Sequence, residues 1–236
     1  MDGLGNHFRG GIVLPEFEWV PKIEYQPVRN ELETIIHRVQ NIMRKEYGIT
    51  FQYRLIGSGS RHLITRAKGG NKGFDLDYNL ILPLLENGRH YKPKEIADRL
   101  MQAFTKAIQG TAYGFPKDRT SVIRLRRVDQ QNKKVLYGCD FAVIYYDDEH
   151  SDGYKYLKHW DDGHYSFEKR KQSRNADWKL DDILEYSSDG WNWIREEYLK
   201  LKCNNRDSRK RSYVLYLEAI HNVYNQIQQC ECDEEE

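Results

Sequence analysis

The sequence predicts an α/β protein (α+β in its chain order) with a mixed, twisted sheet and a helical lobe at the C-terminal end. Apolar residues recur at helical spacing over Val28–Tyr47, ahead of the first strands. Short apolar runs bounded by turn residues follow between residues 51 and 146, as expected for strands. Two further apolar stripes at helical spacing lie between Trp191 and Ile227. Together these observations place a sheet between helices.

Composition places the chain among folded globular proteins. The 236 residues are 39% hydrophobic and 13% aromatic, and this length suits one large domain or two small ones. The formal net charge is +1, but the last seven residues carry five acidic groups, so residues 1–229 carry a net charge of +6. A basic body of this kind favours a polyanionic ligand such as a nucleoside triphosphate. It gives only weak support for nucleic-acid binding.

Membrane and disulfide-based classes are disfavoured. No apolar segment approaches membrane-spanning length, and the first residues lack the apolar core of a signal peptide, so we expect a cytoplasmic protein with no membrane partner. The four cysteines form neither a disulfide framework nor a paired zinc motif, which predicts free thiols. They are Cys139, Cys203, Cys230 and Cys232.

The first elements lead from an arm into a helix and a strand. Prolines predict irregular structure over residues 1–27. The helical pattern then covers Val28–Tyr47, and Gly48 supplies a stop signal. A short apolar strand, Phe51–Ile56, follows and ends in the Gly-Ser-Gly-Ser turn, Gly57–Ser60.

A Lys- and Gly-rich loop over residues 59–74 separates this turn from the next strand, Asp75–Leu82. Because no apolar anchor follows Ile64, we expect the loop to be mobile. Its Lys68 and Lys72 are candidates to bind a triphosphate or an anionic acceptor.

Asp75 and Asp77 lie two residues apart on the second strand, so their side chains project from the same side. Two adjacent carboxylates raise each other's pKa unless a cation lies between them. Ligation by oxygen alone suits Mg²⁺, which completes its shell with water and phosphates. The glycines and serines upstream can present N–H groups and hydroxyls to those phosphates. The alternative is an ordinary Gly-Ser turn beside two solvent-facing aspartates.

A third carboxylate follows further along the chain. Pro93 opens a predicted helix that runs to Ile108, and strands over Ser121–Val128 and Val135–Tyr146 form a predicted hairpin. Asp140 is the one charged residue in the apolar run of the second hairpin strand. A buried carboxylate there is costly unless it is paired or bound to a metal. The alternative is an edge strand on which Asp140 faces water.

These elements, in this order, resemble the nucleotidyltransferases of the DNA polymerase beta type. The resemblance rests on Gly57-Ser58 after an apolar strand, on Asp75-x-Asp77 on the next strand, and on Asp140 on a later strand. The long helix before the Gly-Ser strand is similar to the start of oligoadenylate synthetases and cyclic-oligonucleotide synthases. The sixteen residues between Ser58 and Asp75 exceed the spacing usual in these families, which marks the loop as an insertion.

The resemblance implies a metal-dependent enzyme built on a nucleotidyltransferase core with a C-terminal helical lobe. Asp75, Asp77 and Asp140 would bind two Mg²⁺ ions, with Mn²⁺ as an alternative metal, to activate an acceptor hydroxyl and neutralise the leaving pyrophosphate. Ser58 and Ser60 would hold the β- and γ-phosphates. ATP is the expected donor because it is abundant. The acceptor stays open among a small molecule, a nucleotide, an RNA and a protein.

The region after residue 150 is expected to hold a second hairpin and then helices. Alternating aromatics around Asp161-Asp162-Gly163 predict the hairpin. The histidines in this region follow no ligand spacing, so packed or solvated side chains are favoured over a metal site. They are His150, His159 and His164.

The last two predicted helices resemble the C-terminal helix pair of the oligoadenylate and cyclic-oligonucleotide synthases. On that resemblance Lys202, or Lys200 in a shifted register, would contact the triphosphate. Ser212-Tyr213 would begin the helix nearest the nucleotide. The alternative is a pair of amphipathic helices with a solvated charged face. The expected organisation is an arm over 1–27, a catalytic core over 28–150, a hairpin and helical lobe over 151–229, and an acidic tail over 230–236.

Three functions are therefore in view. The first is transfer of a nucleoside monophosphate, AMP from ATP, to an acceptor hydroxyl. The second is an oligoadenylate or cyclic-dinucleotide synthase, for which the chain is short. The third is a non-catalytic nucleotide- or RNA-binding module on the same fold. Paired carboxylates argue against that module because they destabilise each other without metal.

Overall fold

A computed structural model of the chain describes residues 15–85, 90–146, 153–171, 176–207 and 209–234. The helices are α1 (Lys22–Tyr47), α2 (Gly57–Ser60), α3 (Pro93–Ala107), α4 (Asp177–Tyr186), α5 (Gly190–Asn204) and α6 (Ser212–Glu234). The strands are β1 (Phe17–Trp19), β2 (Gln52–Ile56), β3 (Thr65–Ala67), β4 (Lys72–Ile81), β5 (Lys117–Asp118), β6 (Ile123–Asp129), β7 (Lys134–Tyr145), β8 (Gly153–His159) and β9 (Tyr165–Lys171). Among these helices, none is both long and apolar enough to span a lipid bilayer.

The strands form two sheets. A small sheet pairs β1 with β3, and the main sheet has the order β2-β4-β7-β6-β5. β8 pairs with the C-terminal end of β7, and β9 pairs with β8, so the second hairpin extends the main sheet. β4 and β7 run parallel, while the other pairs of the main sheet are antiparallel. The predicted α/β class with a mixed sheet is confirmed.

Alternate residues of the main sheet face opposite ways, and one face forms the core. Leu76 and Leu80 of β4 and Cys139 and Phe141 of β7 are fully buried among apolar side chains of α1 and α3. Phe104 of α3 packs on Phe141 with 4.6 Å between ring centroids. Because both helices cover this face, the polar side chains of the same strands project from the other one.

The C-terminal helices form a lobe around a second apolar cluster. Ile183 of α4, Ile194 and Tyr198 of α5 and Ala219 of α6 are buried in it. Leu63, which follows the Gly-Ser turn, is buried in the same cluster. The lobe is therefore anchored beside α2.

Most elements predicted from the sequence are confirmed with shifts of one to three residues. Gly48 ends α1 with a φ of 65°, in the left-handed region that glycine adopts without strain. Its N–H and that of Ile49 donate to the carbonyls of Arg44 and Met43, which satisfies two open acceptors at the helix end. Both predicted hairpins, β6–β7 and β8–β9, are present.

The first helix begins earlier than predicted. α1 starts at Lys22, so Pro27 lies inside it, whereas the prolines had suggested irregular structure up to residue 27. A proline in a helix removes one N–H donor and strains the preceding turn. Tyr25 and Val28 on either side are buried in the core, and this packing outweighs the lost hydrogen bond.

Residues 59–74 are not a free loop. Ile64 is buried, β3 pairs with β1, and β4 starts at Lys72, three residues earlier than predicted. The N–H of Lys68 donates to the carbonyl of Glu16 at 2.8 Å, and the two side chains form an ion pair. The expectation of an unanchored loop is wrong, because the N-terminal arm supplies its partner strand.

The C-terminal end also differs from the prediction. α4 forms a separate helix before the two that the apolar stripes predicted. α6 continues to Glu234, so residues 230–234 extend that helix instead of forming a separate tail.

Candidate active site

Two parallel strands bring the three predicted aspartates onto one face of the sheet. In the β4–β7 register, Asp77 lies directly opposite Asp140, and Asp75 lies opposite Gly138. Residues paired across neighbouring strands project from the same face. The carboxylates therefore share the face that α1 and α3 do not cover. Asp75 is the most exposed of the three, and the Asp140 side chain is 16% exposed.

Two glycines make room for these carboxylates. A Cβ at Gly138 would lie 2.2 Å from Oδ1 of Asp75, so this carboxylate rests on the bare backbone of the neighbouring strand. A Cβ at Gly57 would lie 2.9 Å from Oδ2 of Asp77. Gly57 has a φ of 64°, which also favours glycine. The Gly-Ser turn at the end of β2 is therefore packed directly against Asp77.

The site concentrates negative charge in partly dehydrated surroundings. Burial, followed by the charges of Asp140 and Asp75, raises the pKa of Asp77 to about 7. Loss of hydration, and then the charge of Asp140, also raises the pKa of the more exposed Asp75. The guanidinium of Arg124 opposes both shifts. Without a bound cation, Asp75 and Asp77 therefore hold protons more tightly than free aspartates do.

Arg124 is a member of the site that the sequence analysis did not single out. It lies opposite Asp140 in the β6–β7 register, and its Nε donates to Oδ1 of Asp140 at 2.6 Å. Its Nη2 donates to Oδ2 at 2.5 Å, so both carboxylate oxygens are engaged. This contact and the charges of Asp75 and Asp77 raise the pKa of Arg124. The alternation of Arg124 and Arg126 along β6 is the sequence signal that could have suggested a charged face.

The Gly-Ser turn forms the single helical turn α2. The hydroxyl of Ser60 donates to the Gly57 carbonyl at 3.0 Å, and the Ser58 carbonyl accepts from the N–H of Leu63 at 2.8 Å. Arg61 donates from Nη1 to the Gly57 carbonyl at 3.0 Å. The turn is thus held in shape by its own residues, and Ser60 stays exposed.

The predicted residues of the C-terminal helices form a second cluster. Nζ of Lys202 lies 3.3 Å from the Tyr198 hydroxyl and 3.2 Å from Oγ of Ser212. Tyr213 is 44% exposed. The guanidinium carbon of Arg61 lies 5.7 Å from the centre of the Tyr213 ring. Arg61 therefore contacts the Gly-Ser turn with one nitrogen and the start of α6 with its flat face.

The donor set fits a divalent metal ion in its chemistry. Carboxylate oxygens are the ligands that Mg²⁺ and Mn²⁺ prefer, and the two glycines leave the face open. Within the described ranges, however, no set of three or more acidic, histidine or cysteine side chains converges as a ready metal cage. Asp140 points its oxygens at Arg124. Both oxygens of Asp140 are thus engaged by Arg124, whereas oxygens of Asp75 and Asp77 lie against the backbone of Gly138 and Gly57.

Two of the histidines predicted to be packed or solvated, His159 and His164, lie in the second hairpin. His159 stacks on Tyr165 with 4.3 Å between ring centroids, and its Nδ1 lies 3.3 Å from Asp118. His164 accompanies Asp162 in the turn. His150 lies outside the described residues.

Comparison with known proteins identifies the fold. No protein-family model matches the sequence, and no curated protein matches it. Among solved structures, Vibrio cholerae DncV in its 3′-deoxy GTP bound form is similar, with a TM-score of 0.62 and 10% sequence identity. That match covers 86% of this chain and 67% of the DncV chain. Escherichia coli DncV in its 3′-deoxy GTP bound form gives a TM-score of 0.60 at 9% identity, covering 88% of this chain and 69% of that one.

A further similar structure is Vibrio cholerae DncV cyclic AMP-GMP synthase in complex with the linear intermediate 5′ pppA(3′,5′)pG. Its TM-score is 0.52 at 10% identity, and the match covers 87% of this chain and 73% of that chain. The chain therefore has the nucleotidyltransferase fold of these proteins and spans about two thirds to three quarters of their length.

Proposed function

We propose that this protein is a Mg²⁺- or Mn²⁺-dependent nucleotidyltransferase. It transfers a nucleoside monophosphate, AMP from ATP, to an acceptor hydroxyl and releases pyrophosphate. The observation that carries this proposal is the position of Asp77, opposite Asp140 in the β4–β7 register and in contact with the Gly57 backbone. A phosphate-binding turn and a set of carboxylates on one open face are the two parts that nucleotidyl transfer needs.

The spacing of the carboxylates supports the proposal. Two of the similar DncV structures carry substitutions at aspartates: one at a pair separated by a single residue, the other at an aspartate about 60 residues further along. In this chain Asp75 and Asp77 are separated by one residue, and Asp140 follows 63 residues after Asp77. The agreement is in residue type and spacing, at a sequence identity near 10%.

Asp75, Asp77 and Asp140 would hold the metal ions. Ions held by these residues would neutralise charge at the α-phosphate and the departing pyrophosphate and would lower the pKa of the attacking hydroxyl. The attacking hydroxyl gives up its proton to solvent, and its oxygen forms a bond to the α-phosphorus as the bond from that phosphorus to the bridging oxygen breaks. The electron pair of the broken bond leaves with pyrophosphate. Asp140, on the strand beside the pair, would align the acceptor hydroxyl.

The Gly-Ser turn would hold the phosphates of the donor. Ser58 and Ser60 contribute hydroxyl donors, and Gly57 lets the backbone approach closely because it has no side chain. The Ser60 hydroxyl bonds to the Gly57 carbonyl, and rotation about one bond frees it for a phosphate oxygen.

The start of α6 would receive the rest of the nucleotide. Tyr213 offers an exposed aromatic ring on which a base can stack. Lys202, already held between Tyr198 and Ser212, is a candidate to reach the triphosphate. Arg61 joins this cluster to the Gly-Ser turn, because it contacts both the Gly57 carbonyl and the Tyr213 ring.

A cyclic-dinucleotide or oligoadenylate synthase is the second candidate. The DncV structures favour it, because they hold 3′-deoxy GTP or a linear dinucleotide intermediate. In that case the acceptor hydroxyl belongs to a second nucleotide. A non-catalytic nucleotide- or RNA-binding module is the third candidate.

Incubation with α-³²P-labelled nucleoside triphosphates and Mg²⁺ separates these candidates. We expect label in a new product and release of pyrophosphate, and mass spectrometry of the product identifies the acceptor. Cyclic or linear oligonucleotides would indicate a synthase. A labelled macromolecule or small molecule, formed when cell extract is added, would indicate another acceptor.

The Asp77→Asn variant should abolish product formation. Asp98→Asn is the matched control, because Asp98 lies on the surface of α3 in an exposed ion pair with Lys94. No product from wild type with any triphosphate, together with intact nucleotide binding, would contradict transfer and favour the binding module.

A further inference from the structure

The ion pair between Arg124 and Asp140 lies inside the proposed metal site. It is bidentate, with Nε to Oδ1 at 2.6 Å and Nη2 to Oδ2 at 2.5 Å. The Arg124 side chain is 28% exposed and that of Asp140 is 16% exposed, so solvent screens the pair only partly. Bidentate contacts between arginine and carboxylate are among the strongest side-chain hydrogen bonds.

This contact occupies the atoms that a metal would use. Both Asp140 oxygens accept from the guanidinium, and a positive charge next to them repels a divalent cation. Each Asp140 oxygen keeps one lone pair for a metal ion, but the adjacent guanidinium makes Asp140 a weak third ligand beside Asp75 and Asp77 while Arg124 stays in place. The lack of a converging set of three ligands among the described residues agrees with this geometry.

The neighbouring arginine on this face, Arg126, does not lie opposite Asp140 as Arg124 does. Arg126 projects from the same face two residues later and lies opposite Gly138, not opposite an acid. Its Nε is buried without a hydrogen-bond partner. Arg126 therefore already leaves one N–H donor on this face without an acceptor. If Arg124 left Asp140, a second guanidinium on the same face would need an acceptor.

We propose that Arg124 is an internal counter-ion that holds Asp140 away from metal coordination until an anionic substrate draws the guanidinium off. This inference rests on the proposed function, because it assumes that the carboxylates bind metal. A phosphate group is the fitting partner for the released arginine, since it accepts the same bidentate pattern as a carboxylate. Metal binding at the Asp140 side and phosphate binding are then coupled, and the full metal set assembles only with substrate present.

The test counts bound Mn²⁺ from the EPR signal of the free ion. Wild type, Arg124→Gln and Arg127→Gln are titrated with Mn²⁺, each with and without α,β-methylene-ATP, which cannot release pyrophosphate. Arg127 is the matched control: it lies three residues after Arg124 on β6, so it projects from the other face, and its Nη1 lies 3.6 Å from Oε1 of Glu31.

Without the nucleotide analogue, we expect Arg124→Gln to bind one Mn²⁺ more than wild type, or to bind Mn²⁺ about tenfold more tightly, because one repelling charge is gone. With the analogue, wild type should reach the count of the variant. Arg127→Gln should behave as wild type in both series.

Equal Mn²⁺ binding by wild type and Arg124→Gln without nucleotide would overturn the inference and leave the proposed function standing. No Mn²⁺ binding by any protein, even with the analogue, would overturn both. Thermal denaturation distinguishes the proposed role of Arg124 from a purely structural one. The melting temperature of Arg124→Gln should fall in EDTA and recover with Mn²⁺ more than that of wild type. An equal loss with and without Mn²⁺ would count against the inference.

Discussion

The two faces of the main sheet are built from alternate residues of the same strands, and they contribute to stability in opposite directions. On one face Leu76 and Phe141 are fully buried against α1 and α3. On the other face, burial and then the charge of the neighbouring Asp140 raise the pKa of Asp75 and Asp77. The packed face supplies the free energy that lets the charged face persist. A functional site whose charges destabilise the folded state can therefore persist when packing of the core fixes the backbone that carries it.

The largest effect is expected from breaking the packed face. Phe141→Ala removes a ring that packs on Phe104 at 4.6 Å and on Tyr78 at 6.0 Å between centroids. We expect the free energy of unfolding to fall by about 3 to 5 kcal/mol, measured by urea denaturation. Asp75→Asn, on the other face, should leave stability unchanged or raise it slightly in metal-free buffer. A comparable fall in the free energy of unfolding for both variants would mean that the two faces do not contribute to stability in opposite directions.

A loss of activity much larger than the loss of stability is expected from Asp140→Asn. The variant keeps an oxygen for Arg124 but loses the charge needed mainly in the transition state. We expect kcat to fall by a factor on the order of 10² or more. Calorimetry should show ATP·Mg²⁺ affinity equal to wild type or tighter. Turnover unchanged relative to the Asp98→Asn control would remove Asp140 from the proposed site.

The smallest effect is the pH dependence of stability without metal. Asp77 has a pKa of about 7 when folded, against about 4 when unfolded, so the folded state binds its proton more tightly. The stability that this residue contributes is present below about pH 4 and is lost as the pH rises through about 7.

Asp77→Asn lacks this loss. It should be more stable than wild type near pH 8, by about 1 to 3 kcal/mol, a range reduced for the partial exposure of the site. The difference should shrink towards pH 4, as followed by urea denaturation in EDTA. A wild-type stability that stays flat between about pH 5 and pH 8 would contradict the raised pKa.

Local patterns predicted what depends on short stretches of chain. The two-residue period of strands placed Asp75 and Asp77 on one side, and the structure agrees. The glycine stop of α1 and the β6–β7 hairpin depend on backbone conformation over a few residues, so the sequence alone was sufficient. The start of α1 was missed because the proline signal is local, while the packing of Tyr25 and Val28 is not.

Pairing between distant segments could not be predicted. β1 pairs with β3, although more than forty residues separate them in the sequence. Because of this pairing, part of the expected free loop is a strand. The contact between Arg124 and Asp140 depends on the β6–β7 register, which shifts at an irregularity between Arg127 and Val128. A one-residue change in register would move every side chain of β6 to the other face.

By itself, the sequence determined the identity and local orientation of the three aspartates, the glycines around them and the succession of helices and strands. Only the tertiary structure decided that Asp77 lies opposite Asp140 and that Arg124 occupies both oxygens of that carboxylate. The reason is physical. Side-chain alternation and turn propensities act within a few residues, whereas strand pairing is selected by the burial of a whole face against α1 and α3.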